Sequence, residues 1–363
     1  MTVSKERIAA PRRSQNSDVM ATVRTYGAQV EPELKRILSA RAKGERAKLY
    51  GMLRYFFGFL EADLAHAARK GGKRLRPAVC LLIAEGYGVR RKALTAAAAI
   101  ELFHNFTLVH DDVEDRDESR HGRPTVWKVW GVNHAINAGD VLLIHIAQVC
   151  TRIAQGGRAG RELTDALLRA FVETGEGQYL DIELSQLPVG SRGVNEASYL
   201  TMIQKKTAEL IAICAEVAGI AASRNARERA LLRSYGLSLG MAFQLADDYA
   251  SVWATSTETR KDAQSDIRER KRALPFVVAY ARLRGRARKR LRALYERPRQ
   301  LSRAEVREVL DLINTTDARA YVERRIRAYA DTARASAAKL SLPQKTRRIL
   351  ADIVDTLVMQ TEA

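Results

Sequence analysis

Apolar residues along this chain recur at helical spacing, and strict alternation is almost absent. From Val19 onward nearly every stretch reads as helix. The segment 91–117 is Ala-rich and apolar on almost all faces before it ends in acid. A helix apolar all round is a buried one, so 91–117 is predicted to be a central core helix with a charged C-terminal end. The stretch 72–86 carries an apolar run bounded by glycines, and Gly122, Pro124 and Gly131 break the pattern over 118–133. Further helices are predicted at about 134–155, 161–185, 196–222, 226–254, 272–284, 286–297, 303–313, 315–339 and 343–361. The alternation TVWKVW at 125–130 is the best strand candidate, but one strand cannot make a sheet. Strand-turn-strand signals are missing, which demotes all-β and α/β readings and leaves an all-α fold. Residues 1–17 are polar and basic without periodicity and are expected to be a flexible tail before one helical domain at 18–363.

Composition narrows the class. The chain has 363 residues, 46% hydrophobic and 28% charged, which excludes a largely disordered polymer and allows a substantial core without staples. The formal charge of +19 predicts affinity for anions. The densest basic run, RGRARKRLRA at 284–293, spreads its charges over several helix faces, so a solvated helix is favoured over a nucleic-acid reader. Cys80, Cys150 and Cys214 lie far apart in apolar surroundings, as buried free thiols of a reducing compartment would. The first residues lack the apolar run of a signal peptide, and no run of about 18 apolar residues exists. A cytoplasmic protein is expected.

Two acidic clusters end apolar helices. Asp111 and Asp115 are spaced i, i+4 and project from one face, with Asp112 about 100° away and Glu114 and Asp117 adding charge. Carboxylates so crowded repel one another, and at a helix C-terminus they also oppose the dipole. A divalent cation resolves both conflicts, and oxygen-only ligands suit Mg²⁺ shared with a phosphate. Asp247 and Asp248 repeat the arrangement in GMAFQLADDYASVW, with Gln244 on the same side and Asp262 and Asp266 beyond a polar loop. Two such ends facing across an apolar pocket would suit a hydrocarbon chain carrying a diphosphate. Basic residues stand beside these sites: Lys73, Arg74 and Arg76 after Gly71 and Gly72, Arg120 and Arg123 around Gly122, Lys205 and Lys206 before Thr207, and Lys261 and Lys271. Guanidinium and ammonium groups bind phosphate oxygens directly.

The segments GGKRLRP (71–77), LVHDDVEDRDESRHGRPTVW (108–127), Gln178 and Asp181 in GEGQYLD, KKTAEL (205–210), FQLADD (243–248) and SDIRERKRALP (265–275) resemble the trans-isoprenyl diphosphate synthases, the polyprenyl synthetase family. They occur in that family's order and spacing, over about residues 45–360. The resemblance implies a helical bundle of the isoprenoid-synthase type around a central apolar cavity, assembled as a homodimer. It implies head-to-tail joining of an allylic diphosphate to isopentenyl diphosphate. Asp111, Asp112, Asp115, Asp247, Asp248 and Asp266 would form the Mg²⁺ set, and Arg120, Lys206, Lys261 and Lys271 would add positive charge on the diphosphates. Lys73, Arg76, His104 and His121 would hold isopentenyl diphosphate, while Lys206, Thr207 and Gln244 would stabilise the allylic cation. The departing diphosphate would take the final proton, so the catalysis is electrostatic.

The chain departs from the family pattern in three places. His121 replaces the second of two adjacent arginines, Ser251 stands where a third aspartate is usual, and TRK (259–261) lacks a common glycine. Product length is argued from pitch. One helix turn rises about 5.4 Å, close to one isoprene unit. Phe106 and Thr107, one turn before Asp111, would meet the growing tail first. One bulky and one small residue imply an intermediate stop, a pattern resembling archaeal-type geranylgeranyl diphosphate synthases and a twenty-carbon product. The alternatives are a farnesyl or C25 diphosphate synthase, a terpene cyclase on the same scaffold, or a non-catalytic subunit. No nucleic-acid partner is expected, and the basic surface leaves weak contact with an anionic membrane open.

Overall fold

A computed structural model describes residues 13–67, 72, 74–254 and 264–358. Lys73, Lys261 and Asp262 therefore lie outside the described residues, as do residues 1–12 of the basic tail. The first helix, α1 (Arg13–Ala28), begins six residues before Val19, so helix reaches into the segment expected to be tail. α2 (Glu31–Ser39) and α3 (Ala47–Phe56) come next and, with α1, pack into the main core. α4 (Leu75–Gly86) and α5 (Arg90–Glu114) follow, and α5 is the core helix read at 91–117. After a hairpin come α6 (Val126–Trp130), α7 (Val132–Ala154) and α8 (Gly157–Gln186). α9 (Glu196–Ile203) passes through a π-helical turn at Gln204–Ala208 into α10 (Glu209–Ala221), and α11 (Ala226–Trp253) returns. The C-terminal part comprises α12 (Ser265–Glu269), α13 (Leu274–Arg282), α14 (Gly285–Tyr295), α15 (Arg303–Asn314), α16 (Ala318–Lys339) and α17 (Gln344–Val358).

The centre of the bundle is α10, whose every residue is buried. Its sequence, ELIAICAEVAGIA, is apolar except for two glutamates, and these are paired from neighbouring helices. Arg233 donates to Glu209 at 2.7 Å and Arg169 to Glu216 at 3.2 Å, which compensates charges that would be costly alone in the core. α11 lies against α10 at glycines. A Cβ at Gly236 would stand 2.5 Å from Ala212 Cα, and one at Gly240 2.5 Å from Ala208 Cα, so any larger residue would force the helices apart. α5 meets α8 through Phe103 and Phe171, stacked with ring centroids 4.0 Å apart. Side-chain caps fix several helix starts: Asn225 accepts from the Glu228 amide, and Ser302 and Glu305 form a capping box.

Two local readings are corrected. TVWKVW is not a strand: Val126–Trp130 is the short helix α6, and no strand among the described residues pairs with it. Its apolar positions fall on one helical side, where Val126 and Trp130 pack around Tyr55. The pairing lies just before it, where Ser119–Arg120 and Arg123–Pro124 form a minimal antiparallel hairpin. His121 (φ 53°) and Gly122 (φ 74°) make its two-residue turn. Both are left-handed, as the turns that match strand twist require, and His tolerates that region better than most side chains. The stretch expected as one helix at 196–222 is interrupted by the π-turn. No described helix is long and apolar enough to cross a membrane, and the three cysteines are buried and free.

Candidate active site

α5 delivers the first acidic cluster, and its three aspartates are not equivalent. Asp115 is the C-cap residue of the helix, and its amide donates to the Asp111 carbonyl at 2.8 Å, one turn back. Burial pushes the Asp111 carboxyl up to about 7; Lys206 opposes this, and Asp115 and Glu114 add repulsion. Burial also raises Asp115, against the pull of Lys206 and Lys271. Among the described residues no hydrogen bond or ion pair occupies either carboxylate. Asp112 differs. It is 1% exposed, and Arg120 Nε donates to its Oδ1 at 2.6 Å. Burial raises its carboxyl to about 6 against that guanidinium, and its Oδ2 is a buried acceptor with no partner among the described residues.

α11 and α12 deliver the second cluster. Asp247 is half-buried, and Asp248 is buried and accepts from the Tyr199 hydroxyl and, at 2.8 Å, from Gln244 Nε2. Burial and the neighbouring Asp266 push the Asp248 carboxyl up, while the two donors oppose the shift. Ser251 turns back on its helix and donates to the Asp247 carbonyl at 2.9 Å, so its hydroxyl is spent on the backbone. Asp266 is buried beside the Lys271 ammonium at 3.8 Å.

Two lysines stand beside the clusters, and one of them, Lys271, is acted on by both. Lys206 Nζ donates to Asp181 at 2.5 Å, and Asp111 and Asp115 also act on it. Burial works against the Lys206 charge, but these carboxylates outweigh it and raise its pKa. Burial likewise works against Lys271, yet Asp266, Glu269 and Asp115 together raise it. Lys271 thus answers to the first cluster through Asp115 and to the second through Asp266.

Lys206 and Thr207 sit in the π-turn. Such a turn widens the helix by one residue per bond and leaves backbone groups loosely engaged, a frequent feature of functional sites. Its position is fixed by Gly177 of α8, where a Cβ would stand 2.1 Å from the Lys206 amide nitrogen. Thr207 Oγ1 donates to Gln244 Oε1 at 2.9 Å.

A separate cationic group lies at the start of α4. Arg76 Nη1 and His104 Nε2 are 2.9 Å apart, and His121 Nε2 stands 3.6 Å from where a Gly72 Cβ would be. Burial lowers the His104 pKa well below its usual value, and Arg76, Arg120 and His121 lower it further, so the ring is neutral. Arg76 Nε is buried with no partner among the described residues. A half-buried guanidinium with one buried, unsatisfied donor, facing a neutral ring, fits an anion. Arg74 does not belong to this group: it is buried and donates to Glu31, Glu101 and the Phe57 carbonyl.

One turn before Asp111, Phe106 packs between Phe103 (centroids 5.6 Å) and His110 (4.9 Å), and Thr107 Oγ1 donates to the His104 carbonyl at 2.8 Å. His110 is turned into α7, filling the notch left by Gly139. Sequence reasoning passed over Tyr199, which carries no local signal seven residues before Lys206. It also left Gly177 unread, although a glycine inside a long apolar-periodic helix marks a close approach.

The polyprenyl synthetase family profile matches residues 59–313. A geranylgeranyl diphosphate synthase of Mycobacterium tuberculosis is 35% identical over 281 residues, covering 76% of this chain and 78% of the relative. A (2E,6E)-farnesyl diphosphate synthase of Mycobacterium bovis is 30% identical over 352 residues, covering 94% of this chain and 90% of the relative. Among solved structures, a polyprenyl synthetase from Streptomyces coelicolor A3(2) superposes with a TM-score of 0.82 at 29% identity, covering 94% of this chain and all of that one. A geranylgeranyl pyrophosphate synthetase from Pyrococcus horikoshii superposes equally well, at 0.82 and 29% identity, covering 94% of this chain and 98% of that one. On this match of sequence and fold, the chain belongs to the polyprenyl synthetase family.

Proposed function

We propose that the protein is a short-chain trans-prenyltransferase that condenses an allylic diphosphate with isopentenyl diphosphate and releases geranylgeranyl diphosphate. The observation that carries this reading is Lys271, 3.8 Å from Asp266 and acted on by Asp115 as well, which ties the two acidic clusters together beside a separate cationic group. One diphosphate would lie at the acidic clusters and the other against Arg76, His104 and His121, with Lys73 assigned there by its sequence position. The relatives named geranylgeranyl diphosphate synthase support the product class.

A metal ion fits the acidic side. Asp111 and Asp115 are unpaired, mutually repelling oxygen donors, the first raised to about 7. Among the described residues no three ligand side chains close around an ion, so water and phosphate oxygens would have to complete a Mg²⁺ shell. Asp111, Asp115, Asp247 and Asp266 would hold it, with Asp112 and Asp248 behind them, bonded to Arg120 and to Tyr199 and Gln244. When bound, the metal supplies Lewis-acid stabilisation of the leaving diphosphate. The chain's own groups do the rest. Lys206, Lys271 and Arg120 neutralise charge on that group, with Lys261 assigned by position. Thr207 and Gln244 present oxygens to the allylic carbon as it becomes positive. Phe106 limits the tail.

Assembly as a homodimer is part of the proposal. Val132, Ile136, Leu143 and Ile144 of α7 and Leu168, Val172 and Tyr179 of α8 are large, apolar and exposed. The spacing i, i+4, i+11 recurs in Val132, Ile136 and Leu143 and in Leu168, Val172 and Tyr179, so each helix presents one stripe, with Ile144 at the edge of the first, and such a patch marks an association surface. The double substitution Ile144→Asp and Val172→Asp is expected to yield monomers by light scattering. Three buried thiols suit the cytoplasm, and the basic surface suits weak contact with anionic lipid.

The test is mass spectrometry of products from the purified protein with Mg²⁺, isopentenyl diphosphate and each allylic diphosphate in turn. A C20 diphosphate is expected. An unextended hydrocarbon or alcohol, the output of a terpene cyclase, would contradict the proposal, and a C15 or C25 diphosphate would correct the product.

A further inference from the structure

We infer that Tyr199 is a positioning residue for this reaction, setting the orientation of the Gln244 amide through Asp248 so that the Thr207 hydroxyl keeps its lone pairs for the substrate. The inference rests on the prenyltransferase reading and deepens it. Four side chains form one hydrogen-bonded line. Tyr199 donates its hydroxyl to Asp248 Oδ2, Gln244 Nε2 donates to Asp248 Oδ1 at 2.8 Å, and Thr207 Oγ1 donates to Gln244 Oε1 at 2.9 Å.

The direction of this line follows from donor inventory. An amide offers an acceptor at one end and donors at the other. Each Asp248 oxygen meets a donor, Oδ2 the Tyr199 hydroxyl and Oδ1 the Gln244 Nε2, so the amide nitrogen is turned to the carboxyl and Oε1 faces the π-turn. The Thr207 proton then points to Gln244, and both lone pairs of its hydroxyl oxygen remain free on the other side. Were the amide reversed, its NH₂ would donate to Thr207, consume a lone pair and set positive charge where an allylic cation develops. That reversal is what Asp248 prevents, provided its carboxyl stays an acceptor on the Gln244 side.

Tyr199 supplies that condition. Its ring is 1% exposed on α9, which runs directly into the π-turn, so donor and turn move as one rigid piece. Asp248, Asp266 and Asp181 all act on the hydroxyl, and it gives its proton to Asp248 alone. That bond holds the carboxyl plane and keeps Oδ1 turned to Gln244. Removing the hydroxyl leaves Asp248 buried with one oxygen undonated, free to rotate and to let the amide flip. The stabilisation lost belongs to the transition state, where charge develops, and not to either bound diphosphate.

The experiment is a double-mutant cycle on the full-length protein with Mg²⁺ and both substrates. Y199F is expected to lower kcat about tenfold with both KM values within about twofold of wild type. Q244L is expected to lower kcat by at least as much, and the double variant to be no slower than Q244L alone, because the tyrosine acts only through the glutamine. Replacement of Tyr199 by 3-fluorotyrosine, which folds alike and keeps the donor, should retain kcat within about twofold. Losses that multiply in the double variant, a raised KM at unchanged kcat, or a Y199F variant as fast as wild type would each overturn the inference. Loss of kcat on fluorination would do the same. Wild-type product analysis separates the two failures. If wild type elongates and Y199F matches it, only the tyrosine's role falls; if wild type does not elongate, the prenyltransferase reading falls and the inference with it.

Discussion

The two acidic clusters look alike in sequence, each a pair of adjacent aspartates closing an apolar helix, yet the fold prepares them differently. At the end of α5 the carboxylates of Asp111 and Asp115 stay uncommitted, and burial holds Asp111 near neutrality. At the end of α11, Asp248 is bound by Tyr199 and Gln244, and Ser251 is tied to its own helix. Of the three aspartates in the first cluster only Asp112 has a bonded carboxylate, to Arg120, while Asp111 and Asp115 have Lys206 or Lys271 nearby but no bonded partner among the described residues. The other cluster is already half built into the protein. Similar motifs therefore do not imply similar work, and the difference lies in the second layer of contacts.

The sharpest way to break this contrast is to neutralise one member of each cluster. Asp111→Asn is expected to lower kcat about 10³-fold, the scale for loss of a charge-stabilising group in a preorganised site. Asp248→Asn, which keeps an acceptor for Gln244, is expected to cost about tenfold to a hundredfold. Steady-state kinetics decides, and equal losses would mean that both clusters act alike. A smaller effect is expected from Ser251→Asp. A third carboxylate on α11 should lower the Mg²⁺ concentration for half-maximal rate about threefold, read from a metal titration, whereas an unchanged midpoint would place Ser251 outside the site. Phe106→Ala changes the product and leaves the rate: opening one helix turn should lengthen it by about one isoprene unit, seen by mass spectrometry. An unchanged product would put the floor elsewhere.

The smallest expected effect concerns stability. The Asp111 carboxyl is raised to about 7 in the folded chain, against an unfolded value near 3.8. Between these values the folded state binds more protons than the unfolded one, so stability falls as pH rises through that window. In chelator, Tm is expected to be a few degrees lower at pH 8 than at pH 5, and Mg²⁺ should shrink the gap. A gap that Mg²⁺ leaves unchanged would remove Asp111 from the metal's neighbourhood.

The all-α architecture was legible because helical periodicity persists over nearly the whole chain, and the acidic and basic motifs were legible because charge in an apolar helix is conspicuous. Other features were not. TVWKVW alternates over six residues, which fits a strand or a short helix equally, and only packing of Trp130 on Tyr55 decides. The π-turn is one extra residue per hydrogen bond, too small a change to disturb the pattern over 196–222, and it is fixed by Gly177 on another helix. The separate duties of Asp111 and Asp112 depend on Arg120 reaching back from the hairpin. The role proposed for Tyr199 depends on Asp248, 49 residues away, beyond the reach of any local motif.

The claim that both clusters grip one metal-bound diphosphate is tested most directly by calorimetry with a non-ionisable allylic diphosphate analogue, with and without Mg²⁺. Binding is expected only with the metal, and Asp111→Asn and Asp247→Asn should each weaken it by at least tenfold. Metal-independent binding, or full affinity in either variant, would show that the opposed acidic ends do not act together.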